Sequence, residues 1–202
     1  MTKIKLCGLS RACDIEAVNE LNPEYIGFVF APKSKRYVSP EQAAELKQFL
    51  ISDIKAVGVF VNEEIGTVSE LLNRDIIDMA QLHGAESEEY IGKLRAHTDK
   101  PIIKAFRIES EQDIAKANAS TADCVLVDSG AGTGTVFDWN LLKNIKRPYF
   151  LAGGLDTENV SEAIKELKPF AVDVSSGIET NEVKDKTKMA AFVAAVRKEG
   201  TL

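Results

Sequence analysis

Histidine, cysteine and tryptophan are scarce in this chain: among 202 residues there are two, three and one. Two histidines, His83 and His97, with no CxxC or CxxH spacing, argue against a zinc site, so no metal is expected. The cysteines, at 7, 13 and 124, are an odd and scattered set that makes no disulfide framework and favours a reducing compartment. No apolar run is long enough to cross a bilayer, and Met-Thr-Lys-Ile-Lys-Leu-Cys-Gly does not read as a signal peptide. A cytoplasmic protein with no membrane partner is the expectation. Positive charge is not in excess either: Lys+Arg number 25 against 31 for Asp+Glu, a net charge of −6. Nucleic acid is therefore not an expected partner, and an anionic ligand would have to be held by local groups.

What the chain does have is a regular alternation. Apolar runs at 3–7, 25–30, 54–61, 78–82, 102–106, 123–128, 149–152 and 171–174 read as strands. Runs such as 57–61 and 125–127 are apolar at successive positions, as in strands covered on both faces of a parallel sheet. Helical spacing follows each one. Ser10 is a candidate cap for a helix carrying Ile15, Val18 and Leu21; Ser39-Pro40-Glu41-Gln42 reads as a capping box with proline at the first helical position. Val160, Ala163, Ile164 and Leu167 mark a helix over 157–167, and Leu141, Leu142 and Ile145 a short one. Eight strand-then-helix units with no linker-like break predict one (β/α)8 barrel domain over 1–202, near the lower size limit for that fold. A doubly wound open sheet is the alternative.

In such a barrel the strand C-termini share one face, so residues there converge. The last two strands end in Gly153-Gly154 and Ser175-Ser176-Gly177, where missing Cβ atoms and exposed N–H groups suit a phosphate. The other strand ends offer Cys7-Gly8, the 31–37 loop with Arg36, Gln81-Leu82-His83-Gly84, and Asp128 before the glycine-rich 129–135. One thiol and one carboxylate make an acid/base pair, with no obvious organic cofactor. The reading from residues alone is an enzyme moving protons on a phosphorylated small molecule.

These pieces, in this order, resemble the phosphoribosylanthranilate isomerase family along the whole chain. The resemblance rests on Lys5-Leu-Cys-Gly-Leu9, Gly27-Phe-Val-Phe30, Ser34-Lys-Arg36, Gly58-Val-Phe-Val61, Gln81-Leu-His-Gly84, Val127-Asp128, Phe137-Asp-Trp139, Ala152-Gly-Gly-Leu155 and Val172-Asp-Val-Ser-Ser-Gly177. It implies a cofactor-free Amadori rearrangement in tryptophan biosynthesis, with Asp128 as general acid and Cys7 as general base. It also implies Arg36 against the anthranilate carboxylate, Gln81 and His83 lining the site, and phosphate at Gly153, Gly154, Ser176 and Gly177. The chain departs from the family after Gly177, where Asn181-Glu182-Val183 stand before Lys184-Asp185 in place of the usual Pro-Gly. A monomer or homodimer is expected. Other phosphosugar barrel enzymes and a non-catalytic phosphate binder are the rival functions; an indoleglycerol-phosphate synthase would need a lysine acid at a strand end, and Lys104 falls two residues short of one.

Strand parity carries two further expectations. Lys5 shares the inward face with Cys7, and an ammonium inside a barrel needs a partner, for which Asp173 on the adjoining eighth strand is nearest. A thiol acting as base implies either a pKa depressed by Lys5 or a rate that climbs with alkaline pH.

Overall fold

Neighbouring residues on a strand face opposite ways, and here each apolar run supplies two buried faces at once. The computed structural model describes residues 1–128 and 139–200. Its strands are β1 (Lys3–Cys7), β2 (Tyr25–Val29), β3 (Lys55–Phe60), β4 (Met79–Leu82), β5 (Ile102–Arg107), β6 (Cys124–Asp128), β7 (Tyr149–Ala152) and β8 (Ala171–Val174). All pair in parallel in sequence order, and β8 pairs with β1 to close the barrel. The outward faces of the strands (Ile4, Leu6, Phe28, Val125, Val172) and the inward stripes of the helices form the main core. Inside the barrel, Tyr25, Val57, Met79, Ile103, Leu126, Phe150 and Ala171 fill the lower layer. Cys7, Val29 and Val59 lie together at the upper end. The open-sheet alternative is excluded by the β1–β8 ladder.

The surrounding helices are α1 (Ala12–Leu21), α2 (Pro40–Gln48), α3 (Ile65–Asn73), α4 (Glu88–Arg95), α5 (Glu111–Ala119), α6 (Val160–Leu167) and α7 (Lys186–Glu199). Four local expectations change. Ser10 is not the cap of α1: Asp14 reaches back to accept from the Ser10 and Arg11 N–H groups, and Arg11 occupies the cap position. The helix expected from 157 begins at Val160, because Asp156 and Asn159 form a turn in which Asp156 Oδ1 accepts from Glu158 and Asn159 N–H. The segment with Leu141 and Leu142 is a 3-10 turn, Leu141–Asn144, rather than an α-helix. At α2, Ser39 Oγ accepts from Gln42 N–H, but the Gln42 side chain donates to Ser10 O instead of returning to Ser39. The glycine-rich 129–135 and Phe137-Asp138 lie outside the described residues.

The loop after β8 has a definite shape. Ser176–Ile178 is a 3-10 turn, followed by a two-stranded hairpin of β9 (Glu179–Thr180) and β10 (Val183–Lys184). The two residues between them, Asn181 and Glu182, both have positive φ, at 51° and 64°. That is the geometry of a type I′ turn, whose twist matches the flanking strands. The departure from the family pattern is thus a tight hairpin that stands against the 31–37 loop.

Candidate active site

At the end of β1 the thiol of Cys7 and the ammonium of Lys5 face inward, as parity requires. Gly27 on β2 stands level with Cys7, and a Cβ built there would lie 2.5 Å from Cys7 Sγ. The glycine makes room for the thiol. On the other side Lys5 is level with Asp173 on β8, and its Nζ lies 3.0 Å from Asp173 Oδ1 with the lysine fully buried. Burial pulls the Lys5 ammonium down, but the charge of Asp173 and the neighbouring Cys7 more than offset it, so its pKa ends raised. Burial pushes the Cys7 thiol up and Asp173 adds to this, while Lys5 pulls it back only in part. Of the two expectations for the thiol, the depressed pKa is overturned. Burial wins.

Across the mouth, β4 delivers Gln81 at its penultimate position and His83 one residue past its end. Gln81 is buried, with Nε2 at 2.8 Å from His83 Nδ1. Its buried Oε1 has no hydrogen-bond partner among the described residues. His83 Nε2 faces Asp128 Oδ2 at 3.8 Å, beyond hydrogen-bond range. Burial lowers the His83 pKa, with Asp128 opposing, so the imidazole is neutral at pH 7. Asp128 ends β6, and His97 lies exposed at the far end of α4.

The sequence motif could not reveal what holds this loop. Lys104 on β5 donates to Leu82 O, Gly84 O and the Glu86 carboxylate, the last at 2.9 Å. Glu86 in turn accepts from the Asn62 and Gly84 N–H groups. Burial pushes Glu86 up, but Lys104 and the Asn62 N–H pull it further down, so it stays ionised. Lys104 is therefore spent on the loop that carries His83.

Arg36 lies across Gly8, where a Cβ would stand 2.5 Å from Arg36 Cδ. Its Nε and Nη2 donate to the two oxygens of Glu179 at 2.7 and 2.8 Å. Lys184 Nζ adds a contact to Glu179 Oε1 at 2.5 Å and donates to Ser175 O at 2.9 Å. Burial alone would raise the Glu179 pKa, but Arg36 and Lys184 bring it down to about 2. Ser175 Oγ donates to Cys7 O at 3.1 Å, closing the seam between β8 and β1 at the mouth.

Gly153 and Gly154, after β7, have φ of 99° and 63°, a region that glycine enters without strain. Gly177 has a different reason for being glycine: a Cβ there would sit 2.0 Å from Leu155 O, so it lets the β8 loop close onto the β7 loop. A cavity of about 360 Å³ brings Cys7, Arg36, Gln81, His83, Asp128, Gly153, Gly154 and Ser176 to one mouth. Gly177 is not among its lining residues; it packs behind them. Ser175 and Asp173, both at strand β8, line the cavity as well; the sequence reading missed Glu179 and Lys184 behind Arg36.

The profile of N-(5'-phosphoribosyl)anthranilate (PRA) isomerase matches residues 4–195. This chain belongs to that family. An N-(5'-phosphoribosyl)anthranilate isomerase of Clostridium acetobutylicum is 47% identical over 207 residues, covering 98% of this chain and 99% of the relative. A crystal structure of monomers generated from the dimeric enzyme of Thermotoga maritima superimposes with a TM-score of 0.87 at 35% identity, over 98% of this chain and 100% of that one. Another isomerase structure, holding reduced 1-(o-carboxyphenylamino)-1-deoxyribulose 5-phosphate, has a TM-score of 0.88 at 35% identity, with coverage of 98% and 100%.

Proposed function

We propose that this chain isomerises N-(5'-phosphoribosyl)anthranilate to 1-(2-carboxyphenylamino)-1-deoxyribulose 5-phosphate, a step of tryptophan biosynthesis. The observation that carries the reading is the convergence of Cys7 and Asp128 on one cavity that Arg36 and the Gly153-Gly154 turn also line. The reaction moves protons and no net electrons. An acid protonates the furanose ring oxygen so that the ring opens to an iminium, and a base removes the C2 proton to give an enolamine. Tautomerisation of the enolamine leaves the ketone at C2.

Asp128 is the acid and Cys7 the base. A buried thiol is a strong base once ionised, and neighbouring Lys5 favours the thiolate. Arg36 takes the aromatic carboxylate as a planar bidentate donor. Gln81 Oε1, buried and unpartnered, accepts from a substrate hydroxyl, and the neutral ring of His83 lines the sugar path between Gln81 and Asp128. The phosphate rests on the glycine turn at 153–154 with Ser176, and Gly177 keeps that turn in place. No organic cofactor or metal enters this chemistry.

The barrel works as a single domain in the cytoplasm, as a monomer or homodimer, a choice that light scattering on the eluted protein decides. The activity test is optical. The anthranilate moiety of the substrate fluoresces, and its signal should decay only when the protein is added. A protein that binds the substrate and leaves the fluorescence constant would be a binder and no isomerase.

A further inference from the structure

Arg36 sits on a loop, held by Ser34 N–H to Ala31 O and by its own N–H to Ser34 Oγ. A long arginine stem on such a loop has many orientations, and Gly8 leaves room for the one adopted here, where a Cβ would collide with Arg36 Cδ. What confines it is Glu179. The fork from Nε and Nη2 takes the side-on edge of the guanidinium with both carboxylate oxygens. Glu179 is itself fixed from several directions. Lys184 holds its Oε1, the β9–β10 hairpin holds its backbone pairing, and Lys188 Nζ donates to its carbonyl at 2.6 Å. A guanidinium has a second fork, the end-on edge formed by Nη1 and the other N–H of Nη2. No described residue takes it, and Arg36 lines the cavity.

We propose that Glu179 is a positioning residue for the substrate's aromatic carboxylate: it grips one edge of Arg36 so that the adjacent end-on edge is presented, flat and fixed, to the ligand. This deepens the isomerase reading and rests on it. The arrangement is a carboxylate–guanidinium–carboxylate sandwich in a single plane, with one carboxylate built in and the other brought by the substrate. Lys184 balances the second negative charge, since it shares Glu179 Oε1 with Arg36 Nε and is buried there. The fork also explains why the residue must be glutamate. Glutamine presents one acceptor and one N–H, so one arm of the fork would meet a donor with a donor. Aspartate keeps the charge but is a methylene shorter and cannot span the same gap.

The test uses two inert probes, a reduced N-aryl-1-amino-1-deoxypentulose 5-phosphate with the ortho-carboxylate and the same compound without it. Affinities are measured by calorimetry for the wild type, Glu179→Gln, Glu179→Asp, Arg36→Ala and Glu179→Gln/Arg36→Ala. The expected result is a wild-type preference for the carboxylated probe that falls ~10-fold in both Glu179 variants, as a bidentate contact loses its alignment. In the Arg36→Ala background Glu179→Gln should change the preference no further, and competition by inorganic phosphate should be unmoved throughout. A residue that merely supported the fold would weaken both probes alike and leave the ratio intact. That outcome overturns the proposal. So does a preference that rises in Glu179→Gln, which would make Glu179 a competitor that the substrate displaces. If the wild type neither turns over the natural substrate nor prefers the carboxylated probe, the isomerase reading fails first and takes the proposal with it.

Discussion

Lys5 and Asp173 stand level on adjoining strands, ammonium and carboxylate 3.0 Å apart inside the barrel, with Cys7 two residues above the lysine. Asp173 lines the cavity and Lys5 is buried behind it. Removing one partner leaves the other buried and uncompensated, which costs ~3–5 kcal/mol. Lys5→Met should therefore unfold at markedly lower denaturant, whereas Lys5→Met/Asp173→Leu should recover much of the loss. Lys5 also pulls the Cys7 pKa down, so in any folded Lys5 variant the rising limb of kcat/KM should move to higher pH. A limb that stays where it is would separate the pair from the chemistry.

The wild-type limb is itself predictable in direction. Burial holds the Cys7 thiol above its ordinary value of 9.0, so well under ~10% is thiolate at pH 7. If the thiolate is the base, kcat/KM should climb through the alkaline range, tenfold per pH unit on its lower part. Cys7→Ser and Asp128→Asn keep the shape of each side chain and remove its proton chemistry. Each should lower kcat by at least ~10²-fold with little change in KM. Near wild-type turnover in Cys7→Ser would make the thiol a packing residue.

Much of this is legible in the sequence. Strands β1, β7 and β8 begin and end where their apolar runs do, because a parallel barrel strand is buried on both faces and its composition changes sharply at the loop. The Lys5–Asp173 pair followed from parity and barrel closure alone. What escaped were partners joined through space. Glu179 grips Arg36 from 143 positions away, and Glu86 meets Lys104 on the neighbouring strand, so neither pair leaves a local pattern. The start of α6 escaped for a local reason: Asp156 and Asn159 satisfy the N–H groups that a helix from 157 would have left bare. Polar side chains that imitate a turn compete with the first helical turn.

Two glycines test the site's geometry without touching its chemistry. Gly27→Ala places a methyl 2.5 Å from Cys7 Sγ; the thiol must rotate away, and kcat should fall at least ~10-fold while the far-UV spectrum is kept. Gly154→Val adds a β-branched side chain at φ 63° in the turn proposed above to hold the phosphate. That variant should raise KM, and inorganic phosphate should compete with substrate in the wild type far better than in the variant. An unchanged KM in folded Gly154→Val would locate the phosphate elsewhere.

The Arg36–Glu179–Lys184 cluster should also mark the acid limb of stability. Glu179 falls from an ordinary 4.5 to about 2 in the folded chain, so its contribution is complete above pH 4.5 and is lost as pH drops from there towards 2. Other carboxylates held low, such as Glu24 and Glu86, add to the same slope. A variant comparison isolates this one. The stability gap between wild type and Glu179→Gln, from urea unfolding at pH 7, 4 and 3, should narrow as pH falls. A gap that is constant with pH would mean the carboxylate's charge is not what stabilises.

The hairpin after β8 offers a prediction in the opposite sense, a gain in stability from removing a side chain. Its turn needs positive φ at both central positions, and Asn181 tolerates this while Glu182, at 64°, does not. The left-handed conformation costs a residue with a Cβ ~1–2 kcal/mol, whereas glycine adopts it freely but gives back ~0.5–1 kcal/mol of unfolded-chain entropy. Against replacement stands the ion pair of Glu182 with Lys35, both about two-thirds exposed or more, at 67% and 71%. An exposed pair of that kind contributes ~0–1 kcal/mol. In a Lys35→Ala background that term is gone, so Glu182→Gly should raise stability there by ~0.5–1 kcal/mol, read as a shift in urea midpoint with an unchanged slope. In the wild-type background the gain should be smaller by the worth of the pair. Because the same hairpin carries Glu179, a turn relieved of strain should leave the preference for a carboxylated ligand intact. A loss of stability in the Lys35→Ala background would show that Glu182 sits at positive φ without strain.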